Sequence, residues 1–212
     1  MKKSIYLIAD PSLNTSLLLQ KIEQALRGGL FAVQLWNNWR GVSAPLAVIQ
    51  QVHELTQAAH VPLFLNEGLE YLKWTCFDGI HLDKPNEILP SLKKQRPDLL
   101  WGMTCSNCVE ELQWAEQHSL DYISYCSVFP SKTSTSCELV TSETIQNTRQ
   151  FYQGKVFLAG GINELTLPRL HSLPFDGIAL VSAIMGTSSP AEAVLNYHSL
   201  LNQPTDDNPF SL

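Results

Sequence analysis

Eight short apolar runs, each followed by a stretch with helical periodicity, constrain what this chain can fold into. The runs begin near residues 5, 31, 61, 78, 99 and 121, with the last two inside 156–163 and 175–186. Between them lie helical patterns at 14–27, 43–59, 69–75, 86–95, 107–118, 141–152, 165–171 and 190–201. In the first of these, Leu17, Leu18, Ile22, Ala25 and Leu26 recur at helical spacing, and Gly28 and Gly29 end it. The second is expected to start at a Ser43 cap with Pro45 in its first turn. Strict alternation of this kind predicts a parallel sheet with crossover helices. Eight units in 212 residues favour a closed (β/α)8 TIM barrel in a single domain over an open doubly wound sheet. No Gly-x-Gly-x-x-Gly follows the first run, which argues against dinucleotide binding. The barrel is expected to span 1–201, and the polar stretch 202–212 is expected to be a disordered or partner-contacting tail.

A formal net charge of −6 and the absence of long basic runs argue against a nucleic-acid partner. No apolar stretch reaches the length of a membrane span, and the first run ends too soon, at Asp10-Pro11, to be a signal peptide. A cytoplasmic location is expected, and homo-oligomer formation is left open. The five cysteines are scattered, not framed as a disulfide scaffold. Cys105 and Cys108 form a C-x-x-C, but a thioredoxin-like context is missing, and a zinc site with Cys126 and Cys137 lacks a second close pair. Free thiols in a reducing compartment are the expected state.

Chemistry in a barrel of this kind belongs at the C-terminal strand ends. After the seventh run, Gly160 and Gly161 leave backbone amides open to close approach. After the eighth, Ser182, Ala183 and Ile184 would open a helix whose first N–H groups lack intrahelical partners. Together these segments predict an anion site made of backbone, suited to a phosphorylated small molecule. Other polar residues at strand ends include Gln34, Asn37, Asn38, Asn66, Glu67, His81, Asp83, Lys84, Thr104, Cys105, Ser106, Ser127, Ser131, Lys132, Thr133 and Ser134.

Six segments resemble the thiamin phosphate synthase/TenI superfamily: GGLFAVQL at 28–35, PLFLN at 62–66, FDGIHL at 77–82, VFPSKT at 128–133, AGGI at 159–162 and DGIALVSAI at 176–184. The synthase joins a pyrimidine pyrophosphate to a thiazole phosphate and releases pyrophosphate, which calls for Mg2+ and a cationic clamp. The resemblance implies that Gly161, Val181 and Ser182 hold the thiazole phosphate, with Gly160 a candidate from the turn itself. It also places Gln34, Asn66, His81 and Thr104 on the substrate side, and Ser131 and Thr133 in the matched VFPSKT segment are further candidate substrate contacts. The family's Arg and Lys after the second strand fall on Trp36 and Asn38, and the Lys of its sixth loop falls on Ser134. Its first Mg2+ carboxylate falls on Glu67 and its second on Asn86. Arg40, Lys84 or Lys132 would have to replace the clamp, and Asp83 the second carboxylate.

This imbalance resembles the TenI branch, whose thiazole tautomerase keeps the thiazole-phosphate pocket and needs an acid/base group but no metal. The branch's His after the fifth strand falls on Ser106 here, which leaves His81, Glu67, Cys105 and Ser106 as candidates for catalysis. The sequence therefore carries a TenI-like reading first, with no required cofactor. A divergent synthase using Mg2+, with Glu67 as a ligand, stands second, and a catalytically silent thiazole-phosphate binder third.

Overall fold

The computed structural model describes residues 2–131 and 138–203. Eight parallel strands close a barrel in sequence order: β1 Ser4–Ala9, β2 Ala32–Leu35, β3 Leu63–Asn66, β4 Gly79–Leu82, β5 Leu100–Cys105, β6 Tyr122–Cys126, β7 Lys155–Ala159 and β8 Gly177–Leu180. β8 pairs back onto β1, with Ser4 opposite Gly177 and Leu7 opposite Leu180. A parallel strand covered on both faces needs apolar residues at nearly every position, and β2, β3, β4 and β8 are buried at every residue.

Seven α-helices lie among the described residues: α1 Thr15–Arg27, α2 Pro45–Ala58, α3 Leu89–Gln95, α4 Val109–Gln117, α5 Ser142–Asn147, α6 Ser182–Met185 and α7 Pro190–Leu201. The Asn14 side chain caps α1 by accepting from the Leu17 amide, and Leu18, Ile22 and Ala25 form the buried face. Two expected helices are instead single 3-10 turns, at Leu69–Tyr71 after β3 and Leu167–Leu170 after β7. Each stretch is too short to offset helix nucleation, and aromatic Tyr71 or helix-starting Pro168 adds little propagation. The cap expected at Ser43 is also displaced. Pro45 sets the first helical position, so the cap falls on Ala44, which has no side-chain acceptor.

The hydrophobic residues divide into two layers. The larger lies between the outer strand faces and the helices; the smaller fills the barrel with Tyr6, Phe64, Tyr122 and Phe157. Their rings meet edge-on or stacked, with centroids 5.4–5.8 Å apart for Tyr6–Phe64, Tyr6–Tyr122 and Phe64–Tyr122. Neighbouring strands make room with glycines. A Cβ at Gly102 would stand 2.1 Å from the Tyr122 ring, and one at Gly79 would stand 2.7 Å from Phe64. The N-terminal end of the barrel is pinned by three carboxylates. Asp78, Asp121 and Asp176 accept from the amides of Leu63, Trp101 and Val156, each at 2.8 Å. The residues of the barrel mouth are thus carried on a filled, fixed frame.

Candidate functional site

The mouth opens at the C-terminal strand ends and has two unlike halves. On one side, β7 runs into Gly160 and Gly161, whose φ angles of 87° and 66° lie in the left-handed region that favours glycine. The loop after β6 lies directly on this turn. Val128 N donates to Ala159 O at 2.9 Å, and Phe129 N donates to Gly160 O at 3.1 Å. The approach is so close that a Cβ at Gly161 would stand 2.6 Å from Pro130 O, and one at Gly160 would stand 1.9 Å from Ser127 Oγ. Ser131 follows in the same loop and is half-buried, whereas Lys132, Thr133, Ser134 and Cys137 lie outside the described residues. Beside the glycines, α6 starts after Val181, and its first bonds run from Ile184 N and Met185 N to Val181 O. The Ser182 and Ala183 amides therefore have no intrahelical acceptor. Glycine turn and helix start present backbone donors in one place without a charged side chain.

The other half is made of side chains at the ends of β1 to β4. Trp36, at 37% exposure, follows β2. Asn38 is committed to Asp10, its Nδ2 donating to both carboxylate oxygens at 3.0 Å. Neither of the two clamp positions after β2 carries a cation, and Arg40 and Lys84 are both exposed. Asn66 is buried; its Nδ2 donates to Asp83 Oδ1 at 2.7 Å and its Oδ1 accepts from Asn37 N at 3.2 Å. Glu67 has a left-handed φ of 60° and accepts from the Asp83 amide at 2.7 Å through Oε1. Two carboxylates, Glu67 and Asp83, thus meet at adjoining strand ends. No group of three or more His, Cys, Asp or Glu able to hold a metal occurs among the described residues. The pair suits a hard cation that keeps waters and takes further oxygens from a phosphorylated ligand.

Of the acid/base candidates, His81 lies inside the barrel at 4% exposure. Its Nδ1 is 3.0 Å from Tyr122 Oη and its Nε2 is 2.9 Å from Thr104 Oγ1. Burial lowers its pKa to about 3, so the ring is neutral near pH 7 with both nitrogens engaged. Cys105 is fully buried, and burial pushes its thiol far above the usual range, which removes the thiolate. Ser106 points away from proton transfer: its amide and hydroxyl both donate to Glu111 Oε2, at 2.6 and 2.9 Å. Cys105 and Cys108 are both free thiols, and exposed Cys108 donates to Glu110 Oε2 at 2.9 Å.

Gln34, at 3% exposure on β2, and half-buried Thr104 on β5 bond inward, to Tyr6 and His81 respectively. Sequence reasoning missed three residues that shape this region. Tyr6 and Tyr122 read as core aromatics, yet their hydroxyls join Gln34 to His81. Asp10 read only as the end of the first run, although an acid just past a strand end met the same criterion as Glu67. No helix among the described residues is long and apolar enough to cross a membrane.

A family model described as thiamine monophosphate synthase matches residues 5–184. The chain is 28% identical over 196 residues to a thiamine-phosphate synthase of Methanobrevibacter smithii, covering 91% of this chain and 92% of the relative. Similarity to the thiamine-phosphate synthase of Vibrio campbellii is also 28% over 193 residues, covering 89% and 93%. Among solved structures, thiamine phosphate pyrophosphorylase from Pyrococcus furiosus superposes with a TM-score of 0.80 at 23% identity. That match covers 94% of this chain and 96% of the other, and at this identity it speaks for the fold.

Proposed function

The chain belongs to the thiamine monophosphate synthase family, and from that premise we propose that it is a synthase-type transferase with a weakened pyrophosphate clamp. It joins a pyrimidine pyrophosphate to a thiazole phosphate and releases pyrophosphate. The observation that carries this over the tautomerase reading is the state of the proton-transfer candidates. His81 is neutral with both nitrogens bonded, Cys105 is buried and Ser106 is spent on Glu111, which leaves of the four candidates only Glu67, the residue at the family's metal-carboxylate position. The synthase names of the relatives support the same choice.

In this reading the amides at Gly160, Gly161, Val181 and Ser182 take the thiazole phosphate, with Ser131 in the neighbouring loop after β6. Backbone donors at a helix start need no reorganisation to meet an anion. Gln34 and Thr104 orient the ring systems between the two anionic ends. Asn66 holds Asp83 and the segment after β2 in place through its bonds to Asp83 and Asn37. Glu67 and Asp83 would hold Mg2+, which when bound neutralises charge on the departing pyrophosphate. Exposed Arg40 and Lys84 are the remaining described cations of this rim, and they lie outside the clamp positions after β2.

A second reading, a TenI-like protein acting on thiazole phosphate alone, is favoured by one observation: Trp36 and Asn38 stand where cations would bind pyrophosphate, and Asn38 is tied to Asp10. A pyrophosphate-release assay with both substrates and Mg2+ separates the readings. The synthase reading expects one pyrophosphate per thiamin phosphate, with turnover requiring both substrates. Isomerisation of the thiazole carboxylate phosphate without pyrophosphate release would put the TenI-like reading first. Binding without either reaction would make the chain a silent binder.

A further inference from the structure

A line of hydrogen bonds crosses the barrel interior from Gln34 to Thr104, and counting its protons fixes its direction. The Tyr6 hydroxyl donates to Gln34 Oε1. A phenol has one proton, so the 3.0 Å contact between Tyr6 and Tyr122 is donated by Tyr122. Tyr122 then has no proton left for His81, and the 3.0 Å bond between them requires a hydrogen on His81 Nδ1. With Nδ1 protonated on a neutral ring, Nε2 is bare and accepts the Thr104 hydroxyl proton at 2.9 Å. The outward consequences are definite. Gln34 spends its carbonyl inward and keeps its NH2, which has no partner among the described residues, as a donor. Thr104 spends its only proton inward and keeps its oxygen as an acceptor.

We propose that Tyr6 and Tyr122 are positioning residues which, through the Nδ1–H tautomer of His81, fix Gln34 as a donor and Thr104 as an acceptor toward the ligand. The site then selects a ligand that offers an acceptor to Gln34 and a donor to Thr104. The tautomer and the direction of the chain follow from the orientation of the Gln34 amide and the neutrality of the buried His81 ring; only the step to substrate selection rests on the synthase reading. The aromatic rings would pack as well if both tyrosines were phenylalanines, but the direction of the chain would be lost. In Tyr6→Phe, Tyr122 is released to donate to His81, which frees Nε2 to carry the proton and turns the Thr104 hydroxyl proton outward.

The test is nitrogen NMR on the full, ligand-free chain labelled at histidine. The His81 signals are identified by their loss in His81→Asn, or by their coupling to the buried Tyr122 and Thr104 hydroxyls if that variant does not fold. The wild type is expected to show a pyrrole-type Nδ1 and a pyridine-type Nε2. Tyr6→Phe is expected to move His81 toward the opposite tautomer, with kcat/KM falling roughly tenfold through misorientation and little change in melting temperature. Tyr122→Phe serves the same purpose if Tyr6→Phe fails to fold. A wild-type His81 protonated at Nε2, or signals that stay put in both tyrosine variants, would overturn the proposal. Because the spectra need no substrate, a chain without synthase activity would leave the tautomer assignment standing, and a reversed tautomer would leave the activity reading standing.

Discussion

The two halves of the barrel mouth are built from different material. The β7–β8 half presents backbone: glycine φ angles of 87° and 66°, and amides ahead of the first bonds of α6. The β1–β4 half presents side chains, Asp10, Trp36, Asn38, Glu67 and Asp83, three of them carboxylates bound to neighbouring amides or amide groups. A backbone site is defined by the path of the chain and survives most side-chain changes. A side-chain clamp changes its sign with one or two substitutions. In the synthase reading proposed above, this asymmetry accounts for a chain that holds one anion through its backbone while its side-chain grip on the other is weakened.

The strongest way to break the comparison is to put a charge into the backbone half. Ser182→Asp is expected to weaken thiazole-phosphate binding by about a hundredfold, because a carboxylate would face the phosphate across a few ångströms. Calorimetry would read this, and unchanged affinity would remove the phosphate from this turn. Gly161→Asp is a poorer probe, since its Cβ would collide with Pro130 O and Phe129. The comparison is sharpened from the other side by restoring cations. Trp36→Arg with Asn38→Lys is expected to raise kcat/KM for the pyrimidine pyrophosphate by roughly 10- to 100-fold, since charge-assisted bonds contribute about 1.5–3 kcal/mol. The KM for thiazole phosphate should stay the same. A change in both constants would mean that the halves are not independent.

A smaller effect is expected at the carboxylate pair. Glu67→Gln should raise the Mg2+ concentration for half-maximal turnover by about tenfold, through the loss of one anionic oxygen ligand. An unaltered Mg2+ dependence would leave the metal elsewhere. Smallest near neutrality is a pH effect from the frame below the mouth. His81 titrates at about 3 in the fold, against 6.5 for the free side chain, so the unfolded chain binds more protons between those values. Its contribution to stability is therefore complete above about pH 6.5 and declines as the pH falls toward 3. Chemical denaturation at several pH values should show this decline, and His81→Asn, if folded, should flatten it.

Much of the fold was legible because a barrel strand buried on both faces leaves an unbroken apolar run, as at VFLA in β7 and GIAL in β8. The glycine turn was legible too, since its left-handed backbone is set locally by Gly160 and Gly161. Sequence reasoning failed where distant residues decide. The bond between Tyr6 and Tyr122 joins positions 116 apart, and the one between Asp10 and Asn38 spans 28. Neither leaves a local pattern. The candidates His81, Cys105 and Ser106 were read by residue type, but burial and the Glu111 contact set their chemistry. The turns after β3 and β7 were read as helices because a few leucines mimic helical spacing over so short a stretch.

The claim that the mouth is divided into a metal-free phosphate half and a metal-dependent pyrophosphate half is tested most directly by titration calorimetry. Each substrate would be titrated with and without Mg2+. Thiazole phosphate is expected to bind equally well in both conditions. The pyrimidine pyrophosphate is expected to bind more weakly and only with Mg2+. Tight binding of the pyrophosphate without metal, or thiazole phosphate that binds only with metal, would contradict the account.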